Sequence, residues 1–241
     1  MEWFVRIAGD NADLRMLADC PGTPVGSVSL DSTGALLHSS LFHGLADARA
    51  VKEKGDELVA LLSGACRLGF GARQPLRVAC VHRTRDDGTP PDTVVFGVPM
   101  ASEARMLPAT IVATHPGGRR DVYRPADPVF KWFTLANGDK AVAKVLRLVN
   151  VEEQDFVNLY RILEVILQEV GIDEVCRRGW ATRTAIRQFR KAANNPSVSG
   201  DAARHGVARD ASDKKRQARA VLQDDAEAFV MGIVHAWLAQ K

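Results

Sequence analysis

The stretch Pro125-Ala126-Asp127-Pro128 lies where the hydrophobic pattern of this 241-residue chain changes. Before it, short runs of β-branched and aromatic residues are separated by turn residues; after it, apolar residues recur at helical spacing. The change predicts an α+β fold. We expect residues 1–125 to form an antiparallel sheet with one or two helices, and residues 126–241 to form an all-helical carboxyl-terminal bundle.

Working towards the amino terminus, the pattern predicts a βα start, a hairpin, a longer helix and then further strands. The turn at residues 31–34 ends in glycine, as a hairpin requires, and Asp10 or Asn11 is placed to cap the first helix. The predicted strands are 3–7, 25–30, 35–41, 76–82, 93–98, 109–114 and 121–123, and the longer helix is 46–68.

Working towards the carboxyl terminus, the spacing predicts helices near 130–133 and over 141–149, 181–193 and 224–239. Asn150 followed by Glu153 is typical of a capping box, and it predicts the start of a helix that runs to Val170. Gly171 follows at the position where helices often need a left-handed residue.

Composition and terminal sequence bound the class of protein. Hydrophobic residues make up 46% of the chain and charged residues 25%, which is typical of a globular core. The first nine residues lack the basic start and long apolar stretch of a signal peptide, and no stretch suits a membrane span. We therefore expect a cytoplasmic protein without a membrane partner. The four cysteines form no CxxC pair and are expected to be reduced and mostly buried.

The positive charge of the chain is concentrated in one segment. Residues 1–125 hold 14 basic and 14 acidic side chains, residues 126–176 hold 5 and 9, and residues 177–220 hold 12 and 3. The net charge of +3 therefore arises entirely from residues 177–220.

Within that segment, four basic residues are candidates for anion binding: Arg183, Arg187, Arg190 and Lys191. Arg183, Arg187 and Arg190 follow i, i+4, i+7 spacing, which predicts one helix face able to contact phosphates. The alternative is that this face pairs with the acidic residues 152–174 that precede it. A basic face of this kind suits a nucleic acid, a nucleotide or another protein as partner, and the sequence leaves the oligomeric state open.

A second candidate site is catalytic. Arg204 and His205 place a fixed cation beside a titratable imidazole, a combination suited to phosphodiester cleavage by acid/base help and charge stabilisation. Arg161 and Glu164 are candidate assistants. The alternative is a packed loop in which Asp201 caps a turn and Arg204 contacts helix carboxyl ends.

Two resemblances bear on the helical half. The segment from Leu159 to Glu164, through Gly200–Gly206 and on to residues 226–228, resembles an uncharacterised family of bacterial proteins that share a helical carboxyl-terminal half. A helical bundle with a polar Arg/Glu helix and a later Arg-His pair also resembles HEPN domains, which implies metal-independent ribonuclease activity. The HEPN signature places several residues between arginine and histidine, whereas Arg204 and His205 are adjacent.

No complete motif for a phosphate loop, a dinucleotide site or a metal site is present, so we expect no cofactor and no metal. The histidines show no HxH, HExxH or Cys/His pairing typical of a metal site, so such a site would have to assemble from distant segments. The leading hypothesis is a non-enzymatic binding or regulatory protein. Its amino-terminal half would act as a sensor or docking module, and its basic helical segment would bind an anionic or protein partner. The competing hypothesis is a HEPN-like ribonuclease or toxin-type effector.

Overall fold

The computed structural model describes residues 2–84, 92–95, 111–115, 118–151, 153–194 and 223–241. The chain forms two compact units, residues 1–152 and 153–241. The first contains an antiparallel sheet with helices and the second contains helices, so the predicted α+β fold class is confirmed. Among the described residues, no helix combines the length and the apolar character that crossing a membrane requires.

The elements of the first unit follow the order predicted for it. The strands are β1 (Trp3–Ala8), β2 (Ser27–Asp31), β3 (Gly34–His38), β4 (Arg77–Arg83), β5 (Asp92–Val95), β6 (Ile111–Thr114) and β7 (Arg120–Tyr123). The helices are α1 (Asn11–Ala18), α2 (Ala48–Phe70), α3 (Asp127–Gly138) and α4 (Lys140–Val149), with a 3-10 turn at Ser40–Phe42.

Five strands form one antiparallel sheet in the order β2-β3-β1-β4-β5, and β6 and β7 form a separate hairpin. The central strand β1 shows the alternation of a sheet covered on one face: Val5 and Ile7 are buried, while Phe4 and Arg6 are half-buried on the other face. Asp10 caps α1 by accepting hydrogen bonds from the amides of Ala12 and Asp13.

Helix α2 lies between the sheet and the two following helices. A Cβ at Gly55 would lie 3.2 Å from Val5 and 3.3 Å from Val78, so this side of α2 contacts the sheet. Gly64 lies about 2.5 turns further along, which is the opposite side of the helix, and there α2 contacts Leu146 of α4.

This packing explains where the first unit ends. The pattern change near residue 125 coincides with the end of β7 and the start of α3, as predicted. The compact unit nevertheless extends to residue 152, whereas the sequence placed the domain boundary at 125/126. Helices α3 and α4 belong to the first unit because their apolar faces pack against α2, with Val145, Leu146 and Val149 fully buried.

The second unit contains four described helices, α5 (Phe156–Val170), α6 (Ile172–Arg177), α7 (Arg183–Asn194) and α8 (Gln223–Leu238). Its core is formed by the apolar faces of α5 and α8, which contact each other. The ring of Phe189 in α7 lies 6.4 Å from that of Phe156 and 5.8 Å from that of Phe229. This aromatic group anchors α7 to the α5–α8 pair.

The start of α5 differs from the prediction. The Asp155 side chain accepts a hydrogen bond from the Asn158 amide at 2.7 Å, so Asp155 is the N-cap. Asn150 instead ends α4, where its amide donates to the Leu146 carbonyl. The predicted capping box at Asn150 and Glu153 was therefore wrong, although the helix does end at Val170, with Gly171 at φ +86°.

Candidate functional site

Three of the four predicted anion-binding residues form a basic stripe on α7. Arg183, Arg187 and Lys191 are spaced by four residues and all are exposed. The opposite face of the helix is buried through Ile186 and Phe189. We call the side chains of Arg183, Arg187 and Lys191 the α7 surface; it is held in place by a packed helix.

Arg190 occupies a different position from the one predicted. It is half-buried, and its Nε atom is buried without a hydrogen-bond partner among the described residues. The reason is helical geometry, because residue 190 lies one turn from Ile186 and beside Ala193, which are both buried. The exposed stripe therefore continues from Arg187 to Lys191.

Part of the basic segment is neutralised within the second unit. Glu174 accepts hydrogen bonds from Arg177 Nε at 2.7 Å and Nη2 at 2.6 Å, and it also pairs with Arg178. These hydrogen bonds lower the pKa of Glu174 to about 2, and the bond from Arg177 has the largest effect. Arg183 pairs with Asp173. Among the described acidic residues of 153–174, the pairing alternative therefore holds for Arg177, Arg178 and Arg183, whereas Arg187 has no ion pair in residues 153–194 and 223–241.

The proposed catalytic residues are only partly placed by the structure. Arg161 and Glu164 lie three residues apart on α5. Arg161 is exposed and Glu164 is partly exposed, whereas Ile162 and Val165, which follow them in the sequence, are buried. Arg204 and His205 lie outside the described residues. The structure therefore brings Arg161 and Glu164 onto one side of a helix and leaves the Arg-His pair as a prediction.

A second cluster, which the sequence reasoning missed, lies in the first unit on the sheet face that points away from α2. We call it the outer sheet face. The Phe4 ring stacks on His38 of β3 at 5.5 Å between centroids and on His82 of β4 at 5.1 Å. His38 Nε2 in turn lies 3.1 Å from Ser29 Oγ. Cross-strand register explains the stack, because Phe4 is paired with His82 and is the neighbour of His38.

Next to this stack, a cysteine, a histidine and a threonine form a hydrogen-bonded chain. Cys80 Sγ lies 3.1 Å from His82 Nε2, and His82 Nδ1 lies 2.8 Å from Thr93 Oγ1. Cys80 and His82 are each 7% exposed. Val95, the register partner of Cys80 on β5, is 75% exposed. The hydrogen-bonded group of Cys80, His82 and Thr93 therefore lies at the margin of the described sheet.

A charged pair completes the outer sheet face. Arg6 donates from Nη1 and Nη2 to the two carboxylate oxygens of Asp31 at 2.9 Å and 2.8 Å. Desolvation raises the pKa of the Cys80 thiol, and the nearby Arg6 guanidinium opposes that rise. Desolvation, followed by the charge of Arg6, lowers the pKa of His82. Both partners of the Cys80–His82 pair are therefore neutral at neutral pH.

The sequence indicated no Cys/His pairing suited to a metal site, and the Cys80–His82 hydrogen bond was not predicted. The available signal was Cys80-Val81-His82, because residues two apart on a strand point to the same face. The expectation that the cysteines are mostly buried is confirmed: Cys20, Cys66 and Cys80 are buried, and all four are free of disulfides. Among the described residues, no group of three or more potential ligands is placed to hold a metal ion.

Comparison with known proteins adds no relative to these observations. No known protein family matches the chain, and neither does any curated protein or solved structure. The α7 surface and the outer sheet face are therefore the two candidate sites of this protein.

Proposed function

We propose that this protein is a cytoplasmic, non-enzymatic binding or regulatory protein that contacts the phosphate backbone of a nucleic acid through the α7 surface. The observation that carries the proposal is the exposed Arg187, which has no ion pair in the described part of the second unit and is flanked one turn away by Arg183 and Lys191. Each phosphate contact of this kind releases a counterion and so favours binding.

The anchoring of α7 supports this proposal. Ile186 is 1% exposed and Phe189 is 2% exposed, so the helix that carries the cations is packed rather than loose. A rigid row of cations loses less conformational entropy on binding than cations on a free chain. Arg187 is also a better phosphate ligand than a lysine, since its planar guanidinium donates two parallel hydrogen bonds.

The test is a charge reversal with a matched control. The triple variant Arg183→Glu, Arg187→Glu, Lys191→Glu is compared with Lys131→Glu, Lys144→Glu, Arg147→Glu, which changes the net charge equally at exposed positions of the first unit. Binding is measured by fluorescence anisotropy with labelled single-stranded RNA and duplex DNA. We expect the α7 variant to lose at least about 100-fold in affinity and the control to lose much less.

Two outcomes would overturn the proposal. Equal losses in the two variants would show a general charge effect, and the absence of binding by the wild-type protein to either nucleic acid would remove the assigned partner. The same samples also test the ribonuclease alternative. Cleavage of the RNA in EDTA that is abolished by His205→Ala would replace a binding function by catalysis.

A further inference from the structure

The outer sheet face contains the elements of an activated thiol. A nucleophilic cysteine needs an adjacent base, and the base needs a third group that orients it. Cys80 Sγ and His82 Nε2 are 3.1 Å apart, and Thr93 Oγ1 is 2.8 Å from the other ring nitrogen of His82. Phe4 stacks on the His82 ring and further restricts its orientation.

We propose that Cys80 is a reactive thiol that forms a mixed disulfide with low-molecular-weight disulfides, with His82 as the general base. This is a stoichiometric modification of the first unit, independent of the α7 surface. It gives the amino-terminal half a chemistry suited to sensing thiol–disulfide balance, because the occupied and free thiol differ by a bulky group on the sheet.

The reaction balances in protons and electrons. With its Nδ1–H donated to Thr93, His82 takes the thiol proton of Cys80 on Nε2. The Cys80 sulfur attacks one sulfur of the incoming disulfide, so that a new S–S bond forms and the original S–S bond breaks. The released sulfur departs as a thiolate and receives the proton from His82. The Cys80 sulfur is oxidised, the released sulfur is reduced, and no further oxidant is needed.

Other groups near the thiol fit this role. Arg6, the register partner of Cys80, has its guanidinium near the sulfur, where its charge opposes the larger effect of desolvation, which raises the pKa of the Cys80 thiol. The other two cysteines of this unit are engaged elsewhere: Cys66 is fully buried within α2, and the Cys20 thiol donates to Asp127 at 3.8 Å. The mixed disulfide at Cys80 would therefore persist until an external thiol removes it.

The chain offers an internal reference for the test. Cys176 is partly exposed and lies in the second unit, and the fully buried Cys66 reports unfolding if it becomes labelled. The protein is treated with the neutral disulfide dithiodipyridine, quenched in acid at intervals and mapped by mass spectrometry. We expect Cys80 to react faster than Cys176 at neutral pH, even though Cys80 is the more buried of the two.

The decisive variant is His82→Gln, with His38→Gln as the matched control. His38 also stacks on Phe4, but its Nε2 contacts Ser29. We expect His82→Gln to slow Cys80 labelling at least about tenfold and to leave Cys176 unchanged, and His38→Gln to change neither. In His82→Gln the remaining Cys80 rate should rise about tenfold per pH unit, as simple thiolate attack does, whereas the wild-type rate should vary less near neutral pH.

Three results would overturn the proposal: slower labelling of Cys80 than of Cys176 in the wild-type protein, an unchanged Cys80 rate in His82→Gln, or the same pH profile in both proteins. If Cys66 becomes labelled in His82→Gln, the fold is disturbed, and Thr93→Val takes its place. Thr93→Val removes the hydroxyl that contacts His82 Nδ1 and is expected to slow Cys80 labelling, whereas Thr93→Ser keeps a hydroxyl and should keep the wild-type labelling rate.

Discussion

A Cβ atom on Gly64 of α2 would lie 2.1 Å from the carbonyl oxygen of Leu146 in α4 and 2.8 Å from its carbonyl carbon. The two helices therefore touch backbone to backbone at this point, which no residue other than glycine permits. Because the obstacle is main chain, it cannot be relieved by a change of rotamer. Because α2 also packs against the sheet, this contact makes α4 part of the first unit.

Replacement of Gly64 by alanine is expected to lower the free energy of unfolding by about 3 kcal/mol, since the helices must separate to admit the methyl group. Urea denaturation measures the loss. Gly138→Ala is the matched control, because a Cβ there would meet nothing within 4 Å, and it should be neutral or slightly stabilising. Equal stability of Gly64→Ala and wild type would show that α2 and α4 are not in contact as described.

Removal of the Asp155 side chain tests the start of α5. Asp155→Ala is expected to cost about 1 kcal/mol, because the Asn158 amide loses its acceptor. Asn150→Ala should cost less, since Asn150 contributes its backbone to the end of α4. Thermal unfolding of the two variants distinguishes the observed cap from the capping box predicted at Asn150; a larger loss for Asn150→Ala would favour the latter.

We expect the Arg6–Asp31 ion pair to account for part of the loss of folding stability in acid. Arg6 and Thr33 hold the pKa of Asp31 well below its ordinary value of 3.8. A lowered carboxyl pKa stabilises the fold above the unfolded-state pKa, and this contribution is lost as pH falls through the folded-state value. Because the Asp31 side chain is 38% exposed, the contribution is below about 1 kcal/mol.

The measurement for this pair is chemical denaturation at about pH 6 and about pH 3, which bracket the ordinary range of a carboxyl group. Asp31→Asn should lose less stability between the two conditions than wild type. Arg6→Gln should show the same flattening, since either change removes the pair. An unchanged pH dependence in both variants would mean that the pair does not form in solution.

Salt dependence separates a phosphate contact at Arg187 from a general charge effect. If the wild-type protein binds nucleic acid as proposed, Arg187→Gln should reduce the slope of log affinity against log salt by about one unit or less, as the loss of one phosphate contact does. Arg147→Gln, at an exposed position of α4, should leave the slope unchanged. Titrations at several salt concentrations provide the comparison, and identical slopes in the two variants would contradict the placement of Arg187 at the interface.

Many elements of this fold were predictable because their signals are local. The strands at 3–8 and 77–83, the hairpin around residues 31–34 and the helix at 48–70 all appear close to their predicted bounds. Short-range alternation, turn residues and helical spacing suffice for such elements. The end of α5 at Val170 was likewise predictable, because a glycine follows it.

The boundary between the two units and the half-buried position of Arg190 on α7 were not predictable in the same way. Whether α3 and α4 pack with the sheet or with the later helices depends on which apolar surface each one contacts, and for α4 that surface is α2, as the Gly64–Leu146 contact shows. The exposure of Arg190 depends on where the buried face of α7 begins, which Phe189 determines by packing between Phe156 and Phe229.

The position of Cys80 shows most clearly which features follow from the sequence and which depend on the tertiary structure. Periodicity alone places Cys80 and His82 on one face of a strand, and composition alone makes them candidates for the core. Strict alternation from the buried Val78 would turn both towards α2. In the structure, Ile7 pairs with Val78 and Arg6 with Cys80, so Ala79 is an extra residue that moves Cys80 and His82 to the opposite face. That bulge exists only in the pairing of two strands some seventy residues apart in the chain, and it alone brings the thiol, the imidazole and Thr93 together.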